Sequence, residues 1–204
     1  MGIEIRPATR EHWSDLAALF GARGACGGCW CMFWRQTGAE FAARKGEKNR
    51  RALRRLVQSN EPPGLIAWVD GEPAGWIALA PRPEYRRLER SRILRPVDDR
   101  ARVWSVPCFF VARSHRRRGL TVALLEAAVD HAARRGARVL EGYPVEPAGE
   151  QADVFVYTGL ASAFRRAGFR EAARRSPTRP VMRYEIEERR KGSKRGARRD
   201  TSTG

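Results

Sequence analysis

The chain reads as one α/β domain in which strands and helices are mixed along the sequence, of the α+β kind. Three observations predict this. A strand-like opening is followed at once by an amphipathic helix, an Asp-Gly turn joins two apolar runs at the middle of the chain, and an apolar strand enters a long helix through a basic, glycine-containing turn. The length, 204 residues, suits a single core with a tail. The expected domain is 1–188, and 189–204 is expected to be a basic disordered tail, because its Arg, Lys, Gly, Ser and Thr offer nothing apolar to anchor it.

Taken in order, Ile3 and Ile5 alternate with Glu4 and Arg6 ahead of Pro7, which predicts a short strand leaving into a turn. Trp13, Leu16, Ala17, Leu19 and Phe20 recur at helical spacing behind Thr9 and ahead of Gly21, so a helix capped at Thr9 is expected. From Gly24 to Gly38 glycines, cysteines, Trp30, Phe33 and Trp34 follow no period, which predicts an irregular or weakly helical segment. Phe41, Ala42, Leu53, Leu56 and Val57 among Arg and Lys predict one amphipathic helix from Ala39 to Gln58.

Leu65 to Val69 and Gly75 to Ala80, joined by Asp70-Gly71, predict an antiparallel hairpin, since Asp-Gly suits a tight turn needing positive φ. The charged, proline-bounded stretch from Pro81 to Arg102 reads as a surface excursion with a short helix near Tyr85 to Ser91. Val103 to Val111 is β-rich, and Pro107 inside it lacks an amide donor, so a bulge or splay is expected there. Leu120 to Arg135 is strongly helical and is stopped by Gly136. Ala137 to Val145 returns to strand, a polar loop follows Pro147, and a short helix runs from Gly159 to Ala167. Phe169 to Ala173 and Val181 to Ile186 complete the strands.

Apolar residues make up 42% of the chain, so high charge does not imply disorder. The 40 Lys and Arg against 23 Asp and Glu give a formal charge of +17, which favours polyanionic partners. Most of these cations are spread through helices and strand ends as solvated faces. No zinc finger, RNP-like aromatic run or basic zipper accompanies them, so no specific nucleic-acid partner is expected. No run approaches the roughly 20 apolar residues of a spanning helix, and the opening residues lack a signal core, so a cytoplasmic protein without a membrane partner is expected.

Arg116-Arg117-Arg118-Gly119-Leu120-Thr121 carries the chemistry. A helix start offers unpaired amides and a positive dipole end, Gly119 permits close backbone approach, and the arginines add charge; together these suit a diphosphate. At these residues the sequence resembles the GCN5-related N-acetyltransferase (GNAT) superfamily, whose signature is Gln/Arg-x-x-Gly-x-Gly/Ala. Arg116 and Gly119 match, and Thr121 departs from the pattern. Ile3 to Thr9 resembles that family's opening strand, the Asp70-Gly71 hairpin its second and third strands, and Ala163 to Phe169 its late helix entering strand six.

The resemblance implies a mostly antiparallel central sheet flanked by helices and splayed between its fourth and fifth strands. It implies acetyl-CoA or coenzyme A as cofactor, with backbone groups of Phe109, Phe110 and Val111 along the pantetheine arm and amides from Arg116, Arg117, Arg118, Gly119, Leu120 and Thr121 on the diphosphate. Phe164 falls where many relatives place a tyrosine near the sulfur, so leaving-group protonation falls to Tyr157, Tyr143, a water or nothing at all. Glu141, beside the expected splay, is the first candidate for a base; the alternative is a carboxylate paired with an arginine.

Cys26-x-x-Cys29-x-Cys31 could bind zinc if Cys108 or His115 completed a tetrahedron, but it lacks a partner knuckle, so no metal is expected, and Cys108 reads as a small core thiol rather than a nucleophile. Trp30, Phe33, Trp34 and Arg35, with Tyr143, could instead wall an acceptor pocket, or the tryptophans could pack under the sheet. The resulting expectation is an acetyl-CoA-dependent N-acetyltransferase acting on a primary amine of a small molecule or protein, with a homodimer left open. The alternatives are a non-catalytic acyl-CoA-binding module of the same fold and a polyanion-binding protein.

Overall fold

The computed structural model describes residues 2–147 and 157–187. The expected tail, and the loop expected after Pro147 up to residue 156, lie outside the described residues.

Seven strands form one sheet in the order β1-β2-β3-β4-β5-β7-β6. They are β1 (Ile3–Pro7), β2 (Gly64–Val69), β3 (Glu72–Pro81), β4 (Val103–Val111), β5 (Val139–Gly142), β6 (Arg170–Arg174) and β7 (Pro180–Glu185). All neighbours are antiparallel except β4 and β5. Asp70 and Gly71 have φ of 49° and 88°, and Val69 pairs with Glu72, which is the two-residue turn that both left-handed positions require.

One sheet face is covered by α5 (Leu120–Arg134) and α6 (Ala161–Arg166). Leu120, Leu124, Leu125, Ala128 and Phe164 pack there with Ile77, Val106, Phe109 and Leu140. A Cβ on Gly75 would lie 2.9 Å from the Cδ2 of Leu120, so glycine on β3 is what lets α5 approach. The other face carries α1 (Trp13–Phe20) and α3 (Glu47–Val57), whose Leu16, Phe20, Leu53 and Val57 pack with Ile66, Trp68, Trp76 and Ala78.

The bulge expected at Pro107 is present: Ala78 pairs with Cys108 and Ala80 with Ser105, so Val106 and Pro107 together oppose Leu79. Pairing of β4 with β5 stops at Val106 and Gly142, and the rest of β4 runs on without it. That parting is the splay.

Four expectations are corrected. The single helix from Ala39 to Gln58 is two, α2 (Gly38–Arg44) and α3, because Gly46 takes φ of 78° and its amide donates to Gly28 O at 2.9 Å. Thr9 does not cap a helix; its hydroxyl meets His12 Nδ1 at 3.1 Å and a 3-10 turn, Arg10–His12, precedes α1. The excursion after Pro81 is not merely surface, since Tyr85 and Leu88 around α4 (Arg86–Glu89) are wholly buried. The fifth strand is shorter than 137–145, and Val145 keeps only an isolated bridge to Leu160.

Candidate functional site

The basic turn stands where β4 leaves the sheet. After a 3-10 turn, Arg113–His115, Arg117 and Gly119 take φ of 61° and 80°, and α5 begins. Val122 and Ala123 both donate to Gly119 O, at 2.9 and 3.2 Å, so the amides of Gly119, Leu120 and Thr121 stand ahead of the first helical hydrogen bonds. A Cβ built on Gly119 meets nothing within 4 Å, which leaves the space in front of the helix open. Arg117 and Arg118 are exposed and pair with no carboxylate among the described residues. Arg116 is drawn back, its Nε donating to Val111 O at 3.2 Å. Open amides, the positive end of a helix of 15 residues and adjacent guanidiniums have the chemistry that suits a multiply charged phosphate.

Upstream, the edge of β4 divides the three residues that the sequence grouped together. Ala112 donates to Ala74 O at 2.9 Å, and by antiparallel alternation the peptide groups of Phe110 also face β3, whereas those of Phe109 and Val111 face the parting. Phe110 therefore has no backbone group on the open edge, and its grouping with the other two is corrected. The Phe109 amide donates to Tyr157 O at 2.6 Å. Phe164 is wholly buried at the same place, with ring centroids 5.9 Å from Phe109 and 5.0 Å from Phe169. Its ring fits only because Gly142 has no side chain: a Cβ there would lie 2.0 Å from Phe164 Cε1.

On the opposite sheet face, Tyr157 is the centre of an aromatic group. Its ring lies 6.5 Å from Trp34 and 6.4 Å from Phe33, and Tyr85 and Cys108 belong to the same apolar cluster. Burial, reinforced by Cys108, pushes the Tyr157 phenol up to about 12, against the opposing pull of Arg179 and Arg87. It keeps its proton at neutral pH. Arg35 is buried, ion-paired with Glu84, and stands 4.8 Å over the Tyr85 ring. Trp30 is not in this group. It packs with Trp13 and Phe20 under α1 and carries Arg50 over its ring, so it belongs to the core on that side and its expected place beside Trp34 is corrected.

Glu141 and Tyr143 do not form a free acid–base pair. Glu141 is wholly buried; its Oε1 accepts from Tyr143 Oη at 2.7 Å and its Oε2 from Arg183 Nε at 2.7 Å. Arg183 in turn holds Asp98 at 2.6 Å. Both carboxylate oxygens are occupied, which is the arginine-paired alternative, and the role of general base is withdrawn. Tyr143 is buried and its hydroxyl is bonded also to Ser105 Oγ at 2.9 Å; burial and then Glu141 hold its phenol far above the ordinary range.

The cysteines are all free, and Trp76 Nε1 donates to Cys31 Sγ at 3.1 Å. A hydrogen bond from Cys108, aided by Trp76 and Arg35, draws the Cys31 thiol down against its burial, while burial pushes Cys29 up to about 11. No group of three or more His, Cys, Asp or Glu among the described residues is placed to hold a metal ion. No helix of the described residues is long and apolar enough to cross a membrane.

Sequence reasoning missed Arg87, Arg179 and Tyr85, which the structure places around Tyr157 and Arg35. The only signal was the apolar pair Tyr85 and Leu88 at helical spacing inside a charged stretch.

The model of the acetyltransferase (GNAT) family matches residues 30–157. A search of the curated proteins found no match. Among solved structures, the chain is similar to a PaiA N-acetyltransferase from Thermoplasma acidophilum in complex with coenzyme A, at 17% identity over 91% of this chain and 99% of that one, with a TM-score of 0.52. It is similar to an acetyltransferase of the GNAT family from Streptococcus pneumoniae, at 18% identity over 91% and 100% of the chains, TM-score 0.51. The GNAT domain of S. lividans PAT resembles it at 17% identity over 90% of each chain, TM-score 0.51. At such identities the likeness is one of fold.

Proposed function

The chain belongs to the acetyltransferase (GNAT) family, and from that premise we propose that it is an acetyl-CoA-dependent N-acetyltransferase acting on a primary amine. The observation that carries the proposal is the open amide cradle at Gly119, set directly after the strand that parts from β5. Amides of Gly119, Leu120 and Thr121, with Arg117 and Arg118, would hold the diphosphate of coenzyme A. Phe109 N–H, held here by Tyr157 O, is the edge donor for which the pantetheine arm would compete. Phe164 and Gly142 would lie against the end of that arm. When bound, the cofactor supplies an acyl group activated as a thioester.

This chain's own residues supply orientation and one proton. Tyr157, protonated at neutral pH and set at the parting, is the donor to a departing anion, while the amine loses its proton to solvent. Trp34 and Phe33 flank its ring. Thiol release from acetyl-CoA, followed with a panel of amines, tests the proposal, and Tyr157→Phe is expected to lower kcat by about 100-fold with acetyl-CoA affinity unchanged. One observation favours a second reading. Phe164, without a hydroxyl, fills the place of the family's tyrosine, as it would in a non-catalytic acyl-CoA-binding module; tight acetyl-CoA binding with no amine consumed would favour that module.

A further inference from the structure

Among the described residues, the carboxylates near the aromatic group are each taken by an arginine. Glu84 pairs with Arg35, Glu40 with Arg86, Asp98 and Glu141 with Arg183, and Glu146 with Arg165 and Arg174. Among the described residues, the guanidiniums of Arg87 and Arg179 have none. Arg87 lies 3.9 Å over the Phe33 ring and uses its Nε on Phe33 O and Gln36 O, at 2.9 and 3.4 Å. Arg179, ahead of β7, spends its Nη2 on Tyr143 O at 3.2 Å. Neither meets a carboxylate among the described residues. Arg87 Nη2, Arg179 Nε and the indole Nε1 of Trp34 are buried without any hydrogen-bond partner.

An unsatisfied buried donor costs about 1–3 kcal/mol, and more on a charged group, so these donors, with the buried Nη2 of Arg35 also unpartnered, point to a ligand. Water could satisfy the N–H groups and would leave both charges uncompensated. A carboxylate does both, since its two oxygens accept several bonds and charge-assisted bonds to guanidinium are the strong ones. Phe33, Trp34 and Tyr157 supply flat faces for the carbon skeleton that carries it.

Resting on the acetyltransferase reading, we propose that the acceptor is an amine bearing a carboxylate, an amino acid in chemical class, held by Arg87, Arg179 and Trp34 beside the parting of β4 and β5. The full chain is tested by thiol release from acetyl-CoA with each amino acid set against its carboxamide and its decarboxylated amine. The acids are expected to exceed both counterparts at least about tenfold in kcat/KM. Arg179→Gln and Arg87→Gln are expected to raise KM for the acid by about 10- to 100-fold, far more than they change KM for the amide, with acetyl-CoA affinity unchanged. Arg87 also ties the backbone of Phe33 and Gln36; should its variant not fold, Arg179→Gln decides. Amides or decarboxylated amines that match the acids overturn the inference and leave the acetyltransferase reading standing. A chain that binds acetyl-CoA but consumes it with no amine overturns both.

Discussion

Replacing Glu141 with Gln separates a structural carboxylate from a catalytic one. The substitution keeps shape and can keep both hydrogen bonds, by turning Oε1 to Arg183 and letting Tyr143 Oη accept from the new amide. What it removes is the charge facing Arg183, which is 4% exposed, and Arg82, whose Nη1 lies 3.8 Å from Oε1. Breaking a buried pair costs about 3–5 kcal/mol, and Asp98 still holds Arg183, so the lower end, about 3 kcal/mol, applies. For a chain of this size that is a fall in Tm of roughly 6–12 °C. Urea and thermal unfolding measure the loss, and acetyl-CoA-dependent amine acetylation measures the rest, with kcat and its pH profile expected to stay within about twofold. A variant of undiminished stability whose kcat falls by about 100-fold or more, with the basic limb of its pH profile displaced, would refute this and return Glu141 to the role of base.

Other outcomes follow from the same geometry. His131 is drawn down from 6.5 to about 4, first by burial and then by Arg135 and Arg134. The unfolded chain therefore binds the extra proton between those values, and stability should fall as pH drops from 6.5 toward 4, by about 1 kcal/mol after solvent screening. Urea unfolding across that window should lose this part of its pH slope in His131→Gln, and an unchanged slope would contradict the assignment. Phe164→Tyr puts a hydroxyl into a wholly buried site and should destabilise the chain by about 1–3 kcal/mol. Thermal shift should show a smaller loss with saturating acetyl-CoA, whose sulfur can partner the hydroxyl; an equal loss would place Phe164 away from the thioester.

The elements legible in the sequence were those whose cause is local. Asp70-Gly71 dictates its own turn, Pro107 cannot donate and so bulges, and Gly119 permits the left-handed start of α5 wherever the rest of the chain lies. Gly46 was illegible because a glycine amid helical residues is ambiguous until its amide is seen on Gly28 O. The excursion around Tyr85 misled because its many arginines suggest solvent, whereas Arg82 and Arg86 are held by Glu89 and Glu40, and Arg35 lies over the buried Tyr85. The fate of Glu141 was set by Arg183, 42 residues away, and no local pattern announces such a pair. The same holds for Arg87 and Arg179: that neither meets a carboxylate among the described residues is visible only once the partners of Glu84, Glu40, Asp98, Glu141 and Glu146 are known.

Calorimetric titration of acetyl-CoA into the chain and into Gly119→Asp tests the diphosphate cradle most directly. The added side chain meets open space in the protein, and aspartate tolerates left-handed backbone at a cost of about 1 kcal/mol, so the variant should fold. Its carboxylate would stand against phosphate, and the account requires saturable binding to the unaltered chain and a loss of about 100-fold or more in the variant. Equal affinity in the two would mean that the mouth of α5 does not hold the cofactor.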